Sequence, residues 1–439
     1  MRFSLILVAA LRLAVGAEQD EREVLARVTA KVLESNRRVP NYTCVETITR
    51  QFFAPIATQL PHACPAILEI RRHPTPDFIL RRVMTDRLRL DVAMTARGEV
   101  FSWAGASRFD DNFVDRIAHK GPMASGLFGA LLICIFETDV KAFTFTGKKT
   151  VNDRTLFEYS FQVAQPDSHY KVRIPDGWAF TAYGGTIRVD PKTASLVEIE
   201  MQANQLPEGA GECMSSFHFE LKPATIGEGE FLLPARAHQV FIAATGNEFD
   251  NDTQFANCRE YRGESVAIFD GEPVPDRIAR PAPALRIPSF PNGSRFAFVL
   301  SAPISSDTAA AGDPFHGQLI EPLRAPDLKH LAPDGAKVAG HLLRVEIHHI
   351  PPAFVVVLKP EWIEIKGSKV PIIAVPDWTR VTAMNAGKDR KRLAFNVPDP
   401  GEERAGQFRF PTEHSVVPKG FQSYWRIAPP YEDRKPIGH

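Results

Sequence analysis

The chain has 439 residues, enough for two or three domains that each bury a core of their own. Lys and Arg together number 52 and Asp and Glu 52, so the formal net charge is zero; no basic face is offered to nucleic acid and no acidic run to a cationic partner. The 30 Phe, against 7 Tyr and 5 Trp, and the 36 Pro favour short strands joined by punctuated turns over long helices.

The opening MRFSLILVAALRLAVGA, residues 1–17, reads as a secretory signal. Arg2 is its charged start, an apolar run follows, and Val15, Gly16 and Ala17 supply small residues for cleavage. Arg12 interrupts the apolar run, and an uncleaved N-terminal helix is the alternative. No later run approaches the ~20 apolar residues of a membrane helix. The nearest, LFGALLICIF at 127–136, is short and reads as a buried helix. The mature chain is therefore expected to be exported, periplasmic or secreted from a bacterium, with no transmembrane segment.

Export permits disulfides. The five cysteines, Cys44, Cys64, Cys134, Cys213 and Cys258, show no C-x-x-C spacing and hence no zinc or redox motif. Cys134 lies in the apolar run and reads as a small core residue. Among the other four, pairing Cys44 with Cys258 would clasp the first and last strands of one domain, although spacing alone does not fix connectivity.

After the signal, Val24, Val28 and Val32 form one stripe of an amphipathic helix, with Leu25 and Leu33 beside it. Pro40 ends that pattern, and the period becomes two. In DRLRLDVAM, Leu88, Leu90, Val92 and Met94 alternate with Arg87, Arg89 and Asp91. Phe101 and Trp103 alternate after the Arg97-Gly98 turn. Phe143 and Phe145 precede a Gly-containing turn, after which Phe157, Tyr159, Phe161 and Val163 line one face. Short strands continue through Tyr170, Val172 and Ile174 and on to residue 270, as a meander with one apolar and one polar face.

Within it, GGTIRVDPKTASLVEIEMQA concentrates Asp190, Lys192, Glu198 and Glu200. Val197, Ile199, Met201 and Ala203 are expected to point one way and Glu198, Glu200 and Gln202 the other. The carboxylates then belong to the solvated face of a strand and DPKTAS to a polar turn. A general acid–base pair would need one carboxylate in an apolar setting, which even alternation does not supply.

Six prolines in 271–294 mark a stiff linker. A second β-rich region, 295–428, follows with Pro/Gly turns and reads as a small barrel or sandwich, ending in a polar tail at 429–439. The expected fold class is thus mainly β: an N-terminal antiparallel half-barrel with flanking helices over 18–270, a proline-rich linker, and a second small β-barrel or sandwich.

Catalytic motifs are incomplete. TFTGKKT lacks the first Gly and the closing Ser or Thr of a phosphate loop, no G-x-S-x-G surrounds Ser125, and H-E-x-x-H is missing. FDNDTQF has the alternating Asp250 and Asp252 of a calcium loop but not its Gly or closing Glu, and a hairpin turn accounts for it better. His316, His330, His341, His348 and His349 crowd the C-terminal region. His341 and His349 on one strand would stand about 27 Å apart, too far to share an ion, although a site with His316 or His330 stays open. No cofactor and no metal site is expected.

The stretches LRLDVAM, RGEVFSWAG, TLFEYSFQV and GGTIRVDPKTASLVEIEMQA resemble the LolA-like half-barrel of periplasmic lipoprotein carriers and RseB-type sensors, over approximately 21–270. That resemblance implies a curved sheet and helix enclosing an apolar cavity for acyl chains. The polar residues Asp110, Asp111, Asp115 and Arg116 depart from it. AAAGDPFHGQLIEPL and LAPDGAKVAGHL are similar to the TrbI-type barrel module of bacterial envelope machines, which supports a β-barrel and nothing more specific.

The expected function is a non-enzymatic envelope protein binding a lipid or other apolar ligand. The candidate ligand-binding residues are Phe143, Phe145, Phe157, Tyr159, Phe161, Val197, Ile199 and Met201, the bland alternative being that the same face is simply core. A scaffold binding envelope protein partners through both β domains is the second reading, and an exported hydrolase the third. Nucleic acid is not an expected partner.

Overall fold

The computed structural model describes residues 3–56, 63–95, 98–106, 109, 121–123, 129–151, 153–203, 205–260, 290–325, 327, 329–377, 394–395 and 404–429. Most of the expected linker, the polar set Asp110, Asp111, Asp115 and Arg116, and most of 379–407 lie outside them. Two compact units are present. Unit 1 comprises Met1–Val83, Leu90–Ser102 and Ala106–Tyr261; unit 2 comprises Met84–Arg89, Trp103–Gly105 and Arg262–His439.

Unit 1 begins with α1 (Phe3–Arg38), helical without a break through the expected signal. Strand β1 (Tyr42–Ile56) follows, then α2 (Cys64–Arg72), β2 (Ile79–Thr95) and β3 (Gly98–Trp103). The expected helix at 127–136 is, in its described part, a single turn, α3 (Ala130–Ile133), running into a π-helical turn, Cys134–Thr138. The meander continues as β4 (Thr144–Val151), β5 (Arg154–Val163), β6 (Lys171–Ile174), β7 (Gly177–Phe180) and β8 (Tyr183–Asp190). It ends with β9 (Ser195–Ala203), β10 (Glu212–Ile226), β11 (Gly229–Ala243) and β12 (Glu248–Glu260).

These strands pair in the order β3-β2-β1-β12-β11-β10-β9-β8-β5-β4, so the last strand folds back beside the first. Cys44 of β1 is bonded to Cys258 of β12, and Cys64 at the start of α2 to Cys213 of β10. Ile67 of α2 packs with Cys213 and Ile242, which places this short helix over the ends of β10 and β11.

Three details differ from simple alternation. Val189 lies opposite Leu196 and Arg188 opposite Glu198, so Val197 is the extra residue of a bulge. Leu196, 1% exposed, takes the buried place expected for Val197, which is half-buried. Strands β6 and β7 form a two-stranded ribbon outside the meander. FDNDTQF is not a hairpin turn: it runs in mid-strand, with Asp250 opposite Gln51 and Val240, because β1 and β11 on either side supply its ladder hydrogen bonds.

Unit 2 has its own antiparallel core, in which Phe296, Phe298, Phe354 and Trp425 are fully buried. Strand Lys337–His349 lies between Pro314–Leu319 and Pro352–Ile365, and Arg295–Leu300 pairs with Gln422–Ile427. A bulge at Leu343 breaks the two-residue period, so Leu342 and Val345 both enter the core. Within this unit Met84–Arg89 runs beside the AAAGD segment: Arg89 N donates to Ala311 O at 2.7 Å and Ala311 N to Arg87 O at 2.8 Å. Gly312, at φ +95, must be glycine, since a Cβ there would collide with Arg89 O.

The Cys44–Cys258 bond closes a loop of 214 residues in sequence separation. Replacing both cysteines by Ser is expected to lower unfolding stability by about 2–4 kcal/mol, the usual range for such crosslinks. Urea denaturation of the double variant against the parent checks this; an unchanged midpoint would contradict it.

Candidate functional site

The strand register assembles one continuous row across the inner face of the unit 1 sheet. Phe161 lies opposite Gly185, Gly185 opposite Met201, and Met201 opposite Phe217. Phe217 then faces Gln239, Gln239 faces Asn251, and Asn251 faces Arg50. At about 4.8 Å per strand the six steps span about 29 Å. The row is apolar from Phe161 to Phe217 and polar from Gln239 to Arg50, and Gln239, Asn251 and Arg50 are each no more than 3% exposed.

Of the eight residues expected to bind a ligand, Phe157, Tyr159, Phe161, Ile199 and Met201 are buried on this face, and Phe143 and Phe145 are half-buried. Ring contacts tie them together. Phe143 meets Phe161 at 5.7 Å, Phe145 meets Tyr159 at 5.4 Å and Phe157 at 5.5 Å, and Phe161 meets Tyr183 at 6.1 Å. Tyr170 extends the set to Phe217 at 5.9 Å, and Phe217 continues to Phe241 at 5.6 Å. Val197 stands apart from the set in its bulge. Gly185 lets this row close up, because a Cβ would strike Glu200 O on β9.

Helix α1 covers the apolar half. Val24, Val28 and Val32 are at most 2% exposed, and the Tyr159 hydroxyl donates to Glu21 O at 2.7 Å. Lys31 Nζ donates to Thr193 O at 3.2 Å and Ser195 Oγ at 2.9 Å, so the DPKTAS turn is a docking point for the helix. The turn itself is set by Asp190, which accepts from Lys192 N at 2.9 Å and from Arg154 Nη2 at 2.6 Å. The crevice between α1 and the sheet, lined by Val32, Asn36, Leu132, Leu232 and Leu233, measures about 10 Å³, room for about one water.

The polar half was not visible in the sequence. Asn251 Nδ2 donates to Pro122 O at 3.0 Å, while its Oδ1 is buried without a hydrogen-bond partner among the described residues. Arg50 lies over the Phe52 ring at 5.5 Å. Further along β1, Glu46 is 3% exposed; burial first, and Glu99 second, push its carboxyl up to about 8, so it is protonated and a potential donor at neutral pH.

A second buried carboxylate behaves oppositely. Asp139, 1% exposed, accepts from Thr138 Oγ1 at 2.7 Å, His169 N at 2.8 Å and Tyr183 Oη at 3.0 Å, and lies 2.6 Å from His169 Nδ1. Burial alone would raise its pKa, but these four partners outweigh burial and hold it below the ordinary carboxylate value. Asp139 thereby joins the π-helical turn, β8 and the segment leading into β6.

The outer face is charged. Arg188 contacts Glu198 at 2.7 Å, Glu158 at 2.9 Å and Glu200 at 3.0 Å, and these partners hold it cationic against the cost of its burial. The carboxylates singled out in the sequence are therefore wall, as their period implies, although Glu198 is tied down rather than freely solvated. His218 lies opposite His238, which bonds Asp250 at 2.8 Å, beside a groove of about 180 Å³. In unit 2, His341 pairs with Glu361 at 2.7 Å, and His349 with Glu413 at 2.9 Å and Thr85 at 3.1 Å. Among the described residues no three metal-ligating side chains converge.

No family model matches the sequence, and no curated protein matches it. Among solved structures it is similar to a LolA superfamily protein from Nitrosomonas europaea, at 8% identity over 55% of this chain and 93% of that one, with a TM-score of 0.22. It is also similar to an outer membrane lipoprotein-sorting protein domain from Vibrio parahaemolyticus, at 10% identity over 54% and 94%, TM-score 0.26. A DUF1329 family protein from Desulfovibrio piger gives 9% identity over 56% and 94%, TM-score 0.26. The likeness is of the kind that the sequence resemblance named; at these scores the architecture rests on this chain's own strand register.

Two pH dependences follow from the buried carboxylates. Glu46 holds in the folded state a proton that the unfolded chain releases, so its contribution falls as pH rises from 4.5 to about 8. Glu46→Gln is expected to unfold at higher denaturant than the parent at pH 8 and to lose that advantage near pH 4; parallel behaviour at both pH values would contradict this. The Asp139 contribution is full above about pH 4 and is lost as pH falls below it. Asp139→Asn, which breaks a charged hydrogen-bond set, should cost about 2 kcal/mol at pH 7 and much less at pH 2, read by the same titration.

Proposed function

We propose that this chain is an exported, non-enzymatic protein of a bacterial envelope whose unit 1 binds an amphiphile on the inner face of its sheet. The acyl portion lies along Phe143, Phe145, Phe157, Tyr159, Phe161, Ile199 and Met201, and the polar head sits towards Gln239, Asn251 and protonated Glu46. The observation that carries this is the cross-strand row that passes from apolar to polar without a break, from Phe161 to Arg50. A face that was only core would have no use for buried amides at one end of it.

The crevice lined by Val32, Leu132 and Leu233 is too small for a chain, and on this reading α1 is the cover that a ligand displaces. Export is supported by the N-terminal signal pattern and by two disulfides, which persist in oxidising compartments. Among the described residues no helix is long and apolar enough to cross a membrane. A second reading, a scaffold for envelope protein partners, is favoured by the independent core of unit 2, which amphiphile binding does not need.

Native mass spectrometry of the full chain from an exported fraction, followed by organic extraction, tests the first reading. The expected result is a mass excess that extracts as lipid and falls severalfold in Phe143→Ala with Phe145→Ala, two half-buried positions, with circular dichroism checking that the variant folds. A clean apo mass, or an excess indifferent to those changes, makes the face plain core and turns effort to crosslinking of partners.

A further inference from the structure

The outer face of the unit 1 sheet carries a second cross-strand row, which the amphiphile on the inner face does not touch. Glu200 of β9 lies opposite His218 of β10, His218 opposite His238 of β11, and His238 opposite Asp252 of β12. Strands β10 and β11 each have a ladder partner on both edges, so the backbone beneath the two imidazoles is fixed. The histidine Cβ atoms of such a pair stand about 5 Å apart, a gap that two rings bonding one ion at about 2 Å each can close. His218, His238 and Asp252 line the same open groove of about 180 Å³.

Both rings are set up as donors to a cation. His238 Nε2 lies 2.8 Å from Asp250 Oδ1; a carboxylate only accepts, so Nε2 carries the hydrogen and Nδ1 keeps the lone pair. A carboxylate behind a histidine is the arrangement that fixes the tautomer of metal-ligating rings and raises their basicity. His218 Nε2 is buried and has no hydrogen-bond partner among the described residues, with Glu198 Oε2 3.7 Å away. The surroundings are acidic. Glu200 and Asp252 end the row, Glu198 and Asp250 lie diagonal to it, and Glu220 follows His218 on the same face of β10. The guanidinium groups are fewer: Arg236 stands opposite Glu220, and Arg188 is held by Glu158, Glu198 and Glu200.

We propose that His218 and His238 together bind one first-row transition-metal dication, Cu(II) in preference to Zn(II), with water filling the remaining positions and Asp252 bonding to that water. The chain supplies two ligands and not three, since among the described residues no third metal-ligating side chain converges on the pair. That number separates the metals. Imidazole suits both, but Cu(II) stands higher in the affinity order and accepts a tetragonal shell of nitrogen and water, whereas structural Zn(II) is held by four protein ligands. The site lies on the face opposite the amphiphile, and each can fail without the other.

Equilibrium dialysis of the untagged full chain against copper sulfate near neutral pH, with electron paramagnetic resonance of the bound ion, tests this. The parent is expected to bind one more tight equivalent than His218→Asn with His238→Asn, and that equivalent to show two nitrogen ligands. Asp250→Asn, which leaves both rings in place, should weaken it by about tenfold. Acid should release it, because protons compete for both rings; the bond to Asp250 holds the His238 pKa above its ordinary value. Circular dichroism checks that the variants fold. A measurement on the parent needs no substitution: Cu(II) is expected to slow diethylpyrocarbonate modification of His218 and His238 more than that of the other histidines, read by peptide mass spectrometry. Equal copper binding by parent and double variant, or modification of the pair that ignores Cu(II), overturns the proposal.

Discussion

Everything in unit 1 depends on covering one face of an antiparallel sheet. Ten strands with period-two alternation leave a broad apolar surface that water cannot be allowed to touch. The α1 valine stripe meets that need over β9 and β11, and the helix is also held by Tyr159 at Glu21, Lys31 at the β8–β9 turn, Ser35 at Leu232 N and Arg37 at Glu137. The two disulfides hold the sheet itself, one at its β1–β12 seam and one through α2. The frame is thus crosslinked, whereas the cover is attached by packing and a few hydrogen bonds.

The two buried carboxylates show why burial alone does not decide charge. Asp139 and Glu46 are similarly hidden from water. Asp139 has four hydrogen-bonding groups around it and stays ionised, whereas Glu46 Oε2 has no hydrogen-bond partner among the described residues and the carboxyl keeps its proton. The ionised one anchors the base of the β6–β7 ribbon, and the neutral one lies on the inner face of the sheet.

Much of this architecture was legible because alternation is a strong signal wherever one sheet face is wet. Leu88, Leu90 and Val92, and Tyr159, Phe161 and Val163, are buried as their spacing implies. The reading failed where register, not composition, governs. The bulge at Val197 moved Leu196 inward, and the Asp-rich FDNDTQF was held as strand by neighbours far away in sequence. The polar end of the candidate site could not be found by any local pattern. Arg50, Gln239 and Asn251 are ordinary residues on strands far apart in sequence, brought together only when β12 closes onto β1.

Whether a ligand can lift α1 is a question of magnitude. Fully burying a valine stabilises by about 1.5 kcal/mol, so Val24, Val28 and Val32 hold the cover with roughly 4–5 kcal/mol. Each methylene of an acyl chain gains about 0.8 kcal/mol on leaving water. About six methylenes therefore match the valine stripe, and the rest of a long chain is surplus to set against ordering and the freed surface of the helix. A small apolar molecule falls short of that threshold and would leave the cover closed. On the proposed reading the face would select by length before shape, which favours lipids over other apolar compounds as its occupant.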